Sequence, residues 1–180
     1  MRDRLPLARL FDDYLARNPA EAEVVALFRA LLAEEGPVFE RARLDGHFTG
    51  SAWVVSTDGQ RVLLMHHRKL GRWLQLGGHA DGDAYLARVA LREAEEESGL
   101  VDLVVDPAIL DLDRHRIPAR GSEPEHWHYD VRFVVHATGS EAFAVNEESL
   151  ALAWKPVAEI AADPTADESM RRMARKWLSR

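Results

Sequence analysis

The chain has 180 residues, 47% of them apolar and 29% charged, a globular balance long enough to bury a full core without cross-links. With 30 acidic against 23 basic side chains, its net charge of −7 disfavours bulk nucleic-acid binding, though a small phosphorylated ligand stays open if cations neutralise its charge. The lack of cysteine excludes disulfides, thiolate metal centres and cysteine nucleophiles together.

In chain order, the start MRDRLPLARLFDDYLARN is broken by charges, without the apolar segment of a secretory signal. No later apolar run reaches the ~18 residues of a membrane helix, so a soluble, cytoplasmic protein is expected. Leu7, Leu10, Phe11, Tyr14 and Leu15 recur at helical spacing. Asn18-Pro19-Ala20-Glu21 reads as the cap of a second helix, with Val24, Leu27, Phe28, Leu31 and Leu32 as its apolar stripe and Gly36-Pro37 as its end. Residues 1–44 are therefore expected to form a helical extension packed on a main domain of residues 45–180.

Thr49 to Thr57 predicts a strand closing at the hairpin signal Asp58-Gly59, with Arg61 to His67 as its partner. A helix is predicted from about Ala84 to Ser98, stopped by Gly99. Two strand-like stretches follow, about Val101 to Arg116 and His126 to Ala137, separated by the loop sequence IPARGSEPE. Leu150 to Trp154 predicts a last short strand. Thr165-Ala-Asp-Glu168 is a capping-box pattern before a helix with Met170, Met173, Ala174, Trp177 and Leu178 on its apolar face.

The most informative segment is GGHADGDAYLARVALREAEEESGL, Gly77 to Leu100. A run such as REAEEE is ordinarily a solvated face. At 100° per residue, however, Glu93, Glu96 and Glu97 fall within about 100° of one another and project onto the sector of Leu86, Val89, Ala90 and Leu100. Glu95 points elsewhere, and Ala87, Leu91 and Ala94 make a second apolar strip. Clustered carboxylates repel and are expensive to bury, so cations are expected there; an oxygen-only donor set favours Mg²⁺ or Mn²⁺. Arg92, four residues before Glu96, could hold that side chain.

This segment resembles the Nudix box, Gly-x5-Glu-x7-Arg-Glu-apolar-x-Glu-Glu-x-Gly-apolar. Gly78 matches its first glycine, and Arg92, Glu93, Ala94, Glu96, Glu97, Gly99 and Leu100 match its second half in register. The departure is Ala84, where the pattern has glutamate; Asp81 and Asp83 lie close enough in sequence to compensate. The resemblance runs from about Phe48 to Ile160. It implies an α/β/α sandwich with a mixed β-sheet, in which the box binds Mg²⁺ (or Mn²⁺) at a diphosphate. It also implies Glu93, Glu96, Glu97 and the Gly77 carbonyl as metal ligands, Arg92 as their orienter, and water attack at phosphorus that cleaves the P–O–P bridge. The general base would be a box glutamate, Glu96 or Glu97, or a loop glutamate, for which Glu148 and its neighbour Glu147 are candidates against a plain solvated turn.

In His126-Trp127-His128-Tyr129-Asp130-Val131-Arg132-Phe133, alternation puts His126, His128, Asp130 and Arg132 on one face, within reach of His115. That row could contact substrate, hold a separate transition metal, or be a hydrogen-bonded sheet face. His79 could meet a phosphate or serve its loop. His66-His67 with Arg68-Lys69 could attract an anion or be a surface turn. Trp73 could stack on a base or fill the core.

The sequence thus points to a Mg²⁺-dependent pyrophosphohydrolase acting on a small nucleoside diphosphate derivative, with long nucleic acid disfavoured and a homodimer open. Its rivals are a non-catalytic nucleotide- or metabolite-binding regulatory module, favoured by Ala84; an isoprenoid diphosphate isomerase, a chemistry associated with a cysteine this chain lacks; and a histidine-metal enzyme centred on His126 and His128.

Overall fold

The computed structural model describes residues 4–68, 71–121, 124–144 and 149–180. Helix α1, Leu5–Arg17, buries Leu7, Phe11 and Tyr14. A 3-10 turn over Pro19–Glu21 leads into α2, Ala22–Ala33. That turn changes the expected stripe. The Asn18 side chain closes α1, its Nδ2 donating to the Tyr14 carbonyl at 3.0 Å, and does not cap α2. The second helix starts later, so Val25 is buried with Phe28, Leu31 and Leu32, while Leu27 is exposed.

Strand β1, Gly46–Val55, is buried along its whole length and forms the spine of a seven-stranded sheet among the described residues. It begins three residues before the expected Thr49 and so takes in His47. One edge pairs in parallel with β6, His126–Ala137, which pairs antiparallel with β5, Leu103–Ile117. The other edge is shared: β4, Leu76–His79, pairs with Thr49 to Ala52, and β2, Arg61–His67, pairs with Val54 and Val55. β2 also carries β3, Arg72–Leu74, and β7, Ser149–Pro156.

Alternation along β1 then sorts the helices into two layers. Phe48, Ala52 and Val54, with Val131, Phe133 and Val135 of β6, pack with α1, α2 and α3, Leu86–Ser98. Trp53 and Val55, with Val134, pack against α4, Val157–Ala162, and α5, Glu168–Leu178, through Val157, Met170, Met173 and Ala174. The architecture is the expected α/β/α sandwich with a mixed sheet.

Two helix starts move from their expected places. Asp83 accepts the Tyr85 N–H at 2.8 Å and pairs with Arg88, so α3 begins at Leu86 and not at Ala84. Asp167 caps α5 through the Ser169 N–H at 2.9 Å, while Thr165 folds back onto Asp163. Gly99 ends α3 in the left-handed conformation, φ 67°, as its position predicted. Among the described residues, no helix is long and apolar enough to cross a membrane.

Candidate active site

A cavity of about 720 Å³ is walled by α3 and β4 on one side and by polar residues of β1, β5 and β6 on the other. Arg92, Glu93, Glu96 and Glu97 all line it, as the helical projection predicted. Glu97 is buried, and its Oε2 accepts the Gly77 N–H at 2.9 Å, which ties the helix to the strand. Arg92 makes a second tie. Its Nη2 donates to the His79 carbonyl at 2.9 Å and to Glu93 Oε1 at 2.8 Å. Burial, followed by the charges of Glu96 and Asp81, raises the pKa of Glu93 despite that cation. Glu96 is exposed on the same wall.

The two glycines of β4 let it close on its neighbours, Gly77 on β1 and Gly78 on α3. A Cβ at Gly77 would lie 2.7 Å from Ser51 Cα, and one at Gly78 would lie 2.6 Å from Glu93 Cδ. Ala84 packs on the hydrophobic core. Of its two acidic neighbours, Asp83 is held by Arg88 and the Tyr85 N–H and does not line the cavity. Asp81 does line it, paired with Arg41 at 2.7 Å.

The opposite wall carries the histidine row. Parallel pairing sets His47 beside His128, and antiparallel pairing sets His115 beside it on the other edge. His79 completes the group, its ring centroid 5.2 Å from those of His47 and His128. Burial and then the four neighbouring imidazoles push the His128 pKa down to about 2, so it is held neutral. His128, His79 and His115 line the cavity; His126 is buried behind them. Asp130 lies at the cavity floor, where its oxygens accept from Thr49 (3.0 Å), Ser51 (2.7 Å) and Arg132 (2.8 Å). These bonds make it an anchor of the sheet.

His67 lines the cavity, while His66 stacks towards Trp73 at 5.2 Å, outside it. Trp73 packs on the α4–α5 core, with Lys155 Nζ 4.8 Å from its ring centroid. Glu147 and Glu148 lie outside the described residues. Sequence reasoning missed His47 and Arg41. The first had a signal, since His47, Thr49 and Ser51 alternate with Phe48, Gly50 and Ala52. The second had none, because Arg41 sits in an irregular loop.

The family model described as the NUDIX domain matches residues 47–177. The chain belongs to the Nudix family. It is a Nudix hydrolase acting on phosphorus anhydride bonds. The Nudix fold recurs in the MutT protein of Methanosarcina mazei Go1, 17% identical, with 76% of this chain and 96% of that one covered and a TM-score of 0.57. The Ap4A hydrolase of C. elegans is 14% identical, with 73% and 95% covered and a TM-score of 0.56. The NUDIX domain of Shewanella oneidensis NrtR, solved with ADP ribose, is 22% identical, with 83% and 97% covered and a TM-score of 0.52. No curated protein matches the chain by sequence.

Proposed function

We propose that this Nudix hydrolase cleaves the diphosphate linkage of a small nucleoside diphosphate derivative, with Mg²⁺ as its ion and Mn²⁺ as a substitute. The observation that carries the reading is the convergence of Glu93, Glu96 and Glu97 on one cavity wall, where Glu93 is destabilised as an anion although Arg92 touches it. Such a donor set fits a hard divalent cation, which would balance the wall and accept phosphate oxygens on its free side.

The residues that would hold the ion are Glu93, Glu96, Glu97 and the backbone of Gly77. When bound, it supplies neutralisation of the phosphate oxygens and a more acidic water. The chain supplies the rest. Gly77 N–H orients Glu97, and Arg92 fixes Glu93 while bracing α3 on β4. Glu96, exposed at the cavity, would take the proton of the attacking water. Water adds to phosphorus, the bridging P–O bond breaks, and each product leaves with a terminal phosphate. Arg41 and His79 line the same cavity and would meet the anionic substrate.

The test is a panel of nucleoside diphosphate derivatives incubated with Mg²⁺ or Mn²⁺ in ¹⁸O-labelled water, with products read by mass spectrometry. Two phosphorylated products, one carrying a single ¹⁸O, support the reading. No cleavage, with a nucleotide that still raises the melting temperature, transfers support to the binding module.

A further inference from the structure

Three of the cavity's histidines form a group of their own. The parallel register of β1 and β6 sets His47 against His128, and the two-residue repeat of β6 brings His126 to the same face. One ligand atom from each lies within 4.8 Å of the other two. His126 Nε2 and His128 Nε2 are 3.2 Å apart, close to the ~3.3 Å edge of a tetrahedron with metal–nitrogen bonds of about 2.0–2.1 Å.

Backbone carbonyls select the tautomers. His47 Nδ1 lies 3.2 Å from the Arg43 carbonyl and His126 Nδ1 lies 2.9 Å from the Pro124 carbonyl. A carbonyl only accepts, so both rings carry their proton on Nδ1 and keep Nε2 as the acceptor, which in His126 meets His128 Nε2. The same arrangement orients histidines at metal centres, where the other ring nitrogen donates to a carbonyl or carboxylate. His47 and His126 are 1% and 5% exposed, so water competes weakly for their lone pairs.

We infer that His47, His126 and His128 hold a second metal ion, a nitrogen-ligated transition metal of the Zn²⁺ class, beside the carboxylate wall of the same cavity. Three imidazoles with no carboxylate in the set select such an ion over Mg²⁺. His79 lies beside the set, its ring centroid 5.2 Å from those of His47 and His128, and His79 and His128 both line the cavity. This goes beyond the hydrolase reading, and its readout is spectroscopic, so either can fail without the other.

The test strips the full chain of metal and titrates it with Co²⁺. The inference expects one equivalent with the visible bands of a four-coordinate nitrogen site, displaced by Zn²⁺. His128→Gln, at the cavity wall, should weaken that binding at least about 10-fold, while Glu97→Gln should leave the spectrum unchanged. Bands of a six-coordinate oxygen site, which Co²⁺ on the carboxylate wall would give, with no four-coordinate nitrogen bands beside them, no binding, or a spectrum lost in Glu97→Gln and kept in His128→Gln would overturn it. X-ray absorption on the zinc-loaded wild-type chain needs no variant: a shell of three or more imidazoles supports the site, and a mainly oxygen shell overturns it.

Discussion

On the α5 side of the sheet, the fully buried Asp111 sits among three cations of the chain. Arg132 reaches it at 3.2 Å, Arg172 at 2.8 Å and Lys176 at 2.7 Å. Arg132 also holds Asp130 and Asp113, and Lys176 reaches Glu21 beyond α1. On the cavity wall, by contrast, Glu93, Glu96 and Glu97 gather with Arg92 beside Glu93, and imidazoles face imidazoles. Both clusters draw on strand β6, and Asp130, which holds Arg132 of the first, lines the cavity of the second. The first is complete with the charges the chain supplies, and it fastens α5 and the Pro19–Glu21 turn to the sheet. The second holds like groups together, and under the proposed function a cation would complete it; perturbed groups gather at functional sites in this way.

That contrast breaks most visibly at Asp111. Asp111→Ala would remove the buried carboxylate that Arg132, Arg172 and Lys176 share and should cost about 3–5 kcal/mol in urea unfolding. A loss below about 1 kcal/mol would mean that the network does not fasten the fold.

The two glycines of β4 sharpen it next. Gly77→Ala pushes on the backbone of Ser51 and should cost about 1–3 kcal/mol of stability. The nearest atoms to the new methyl in Gly78→Ala are those of the Glu93 carboxylate, which can swing aside. It should leave the melting temperature nearly unchanged and reduce hydrolysis by up to about 100-fold, because Glu93, a ligand in the proposed function, is displaced. Equal effects on stability from the two variants would erase the distinction between the regions.

The acid limb of stability gives a smaller test. Burial alone would raise Asp113, but the His115 hydrogen bond and the charges of Arg132 and Arg172 overturn that and hold it below the usual carboxylate range. Burial also opposes ionisation of Asp111, and Arg172, Arg132 and Lys176 again win. A carboxylate depressed in the folded state stabilises fully above its unfolded pKa of about 3.9, and that stability is lost as pH falls towards the folded value. Wild type should therefore lose stability below about pH 4 more steeply than Asp113→Asn. Parallel acid limbs would contradict the pairing.

The residues differ in how far the sequence reveals them. The carboxylate wall was legible because Glu93, Glu96 and Glu97 share one helix, where spacing alone fixes the face. The histidine row on β6 was legible for the same local reason, by strand alternation. His47 was not read, because it meets His128 only through a parallel pairing 81 residues away in sequence. Asp111, Arg132 and Arg172 come from three elements, and no local period links them. Leu27 was misread for a subtler reason: the turn at Pro19–Glu21 delays α2 and rotates Val25 into the core.

The most direct test of the central claim measures metal-free stability and hydrolysis of Glu97→Gln in one preparation. Glutamine can still accept the Gly77 N–H, so only the charge is lost. The account predicts a melting temperature equal to or above wild type, with hydrolysis down about 100-fold, or about 2.7 kcal/mol in the barrier. A variant that melts well below wild type yet hydrolyses at its rate would show that Glu97 holds the fold and serves no cation, and the contrast between the two clusters would fall.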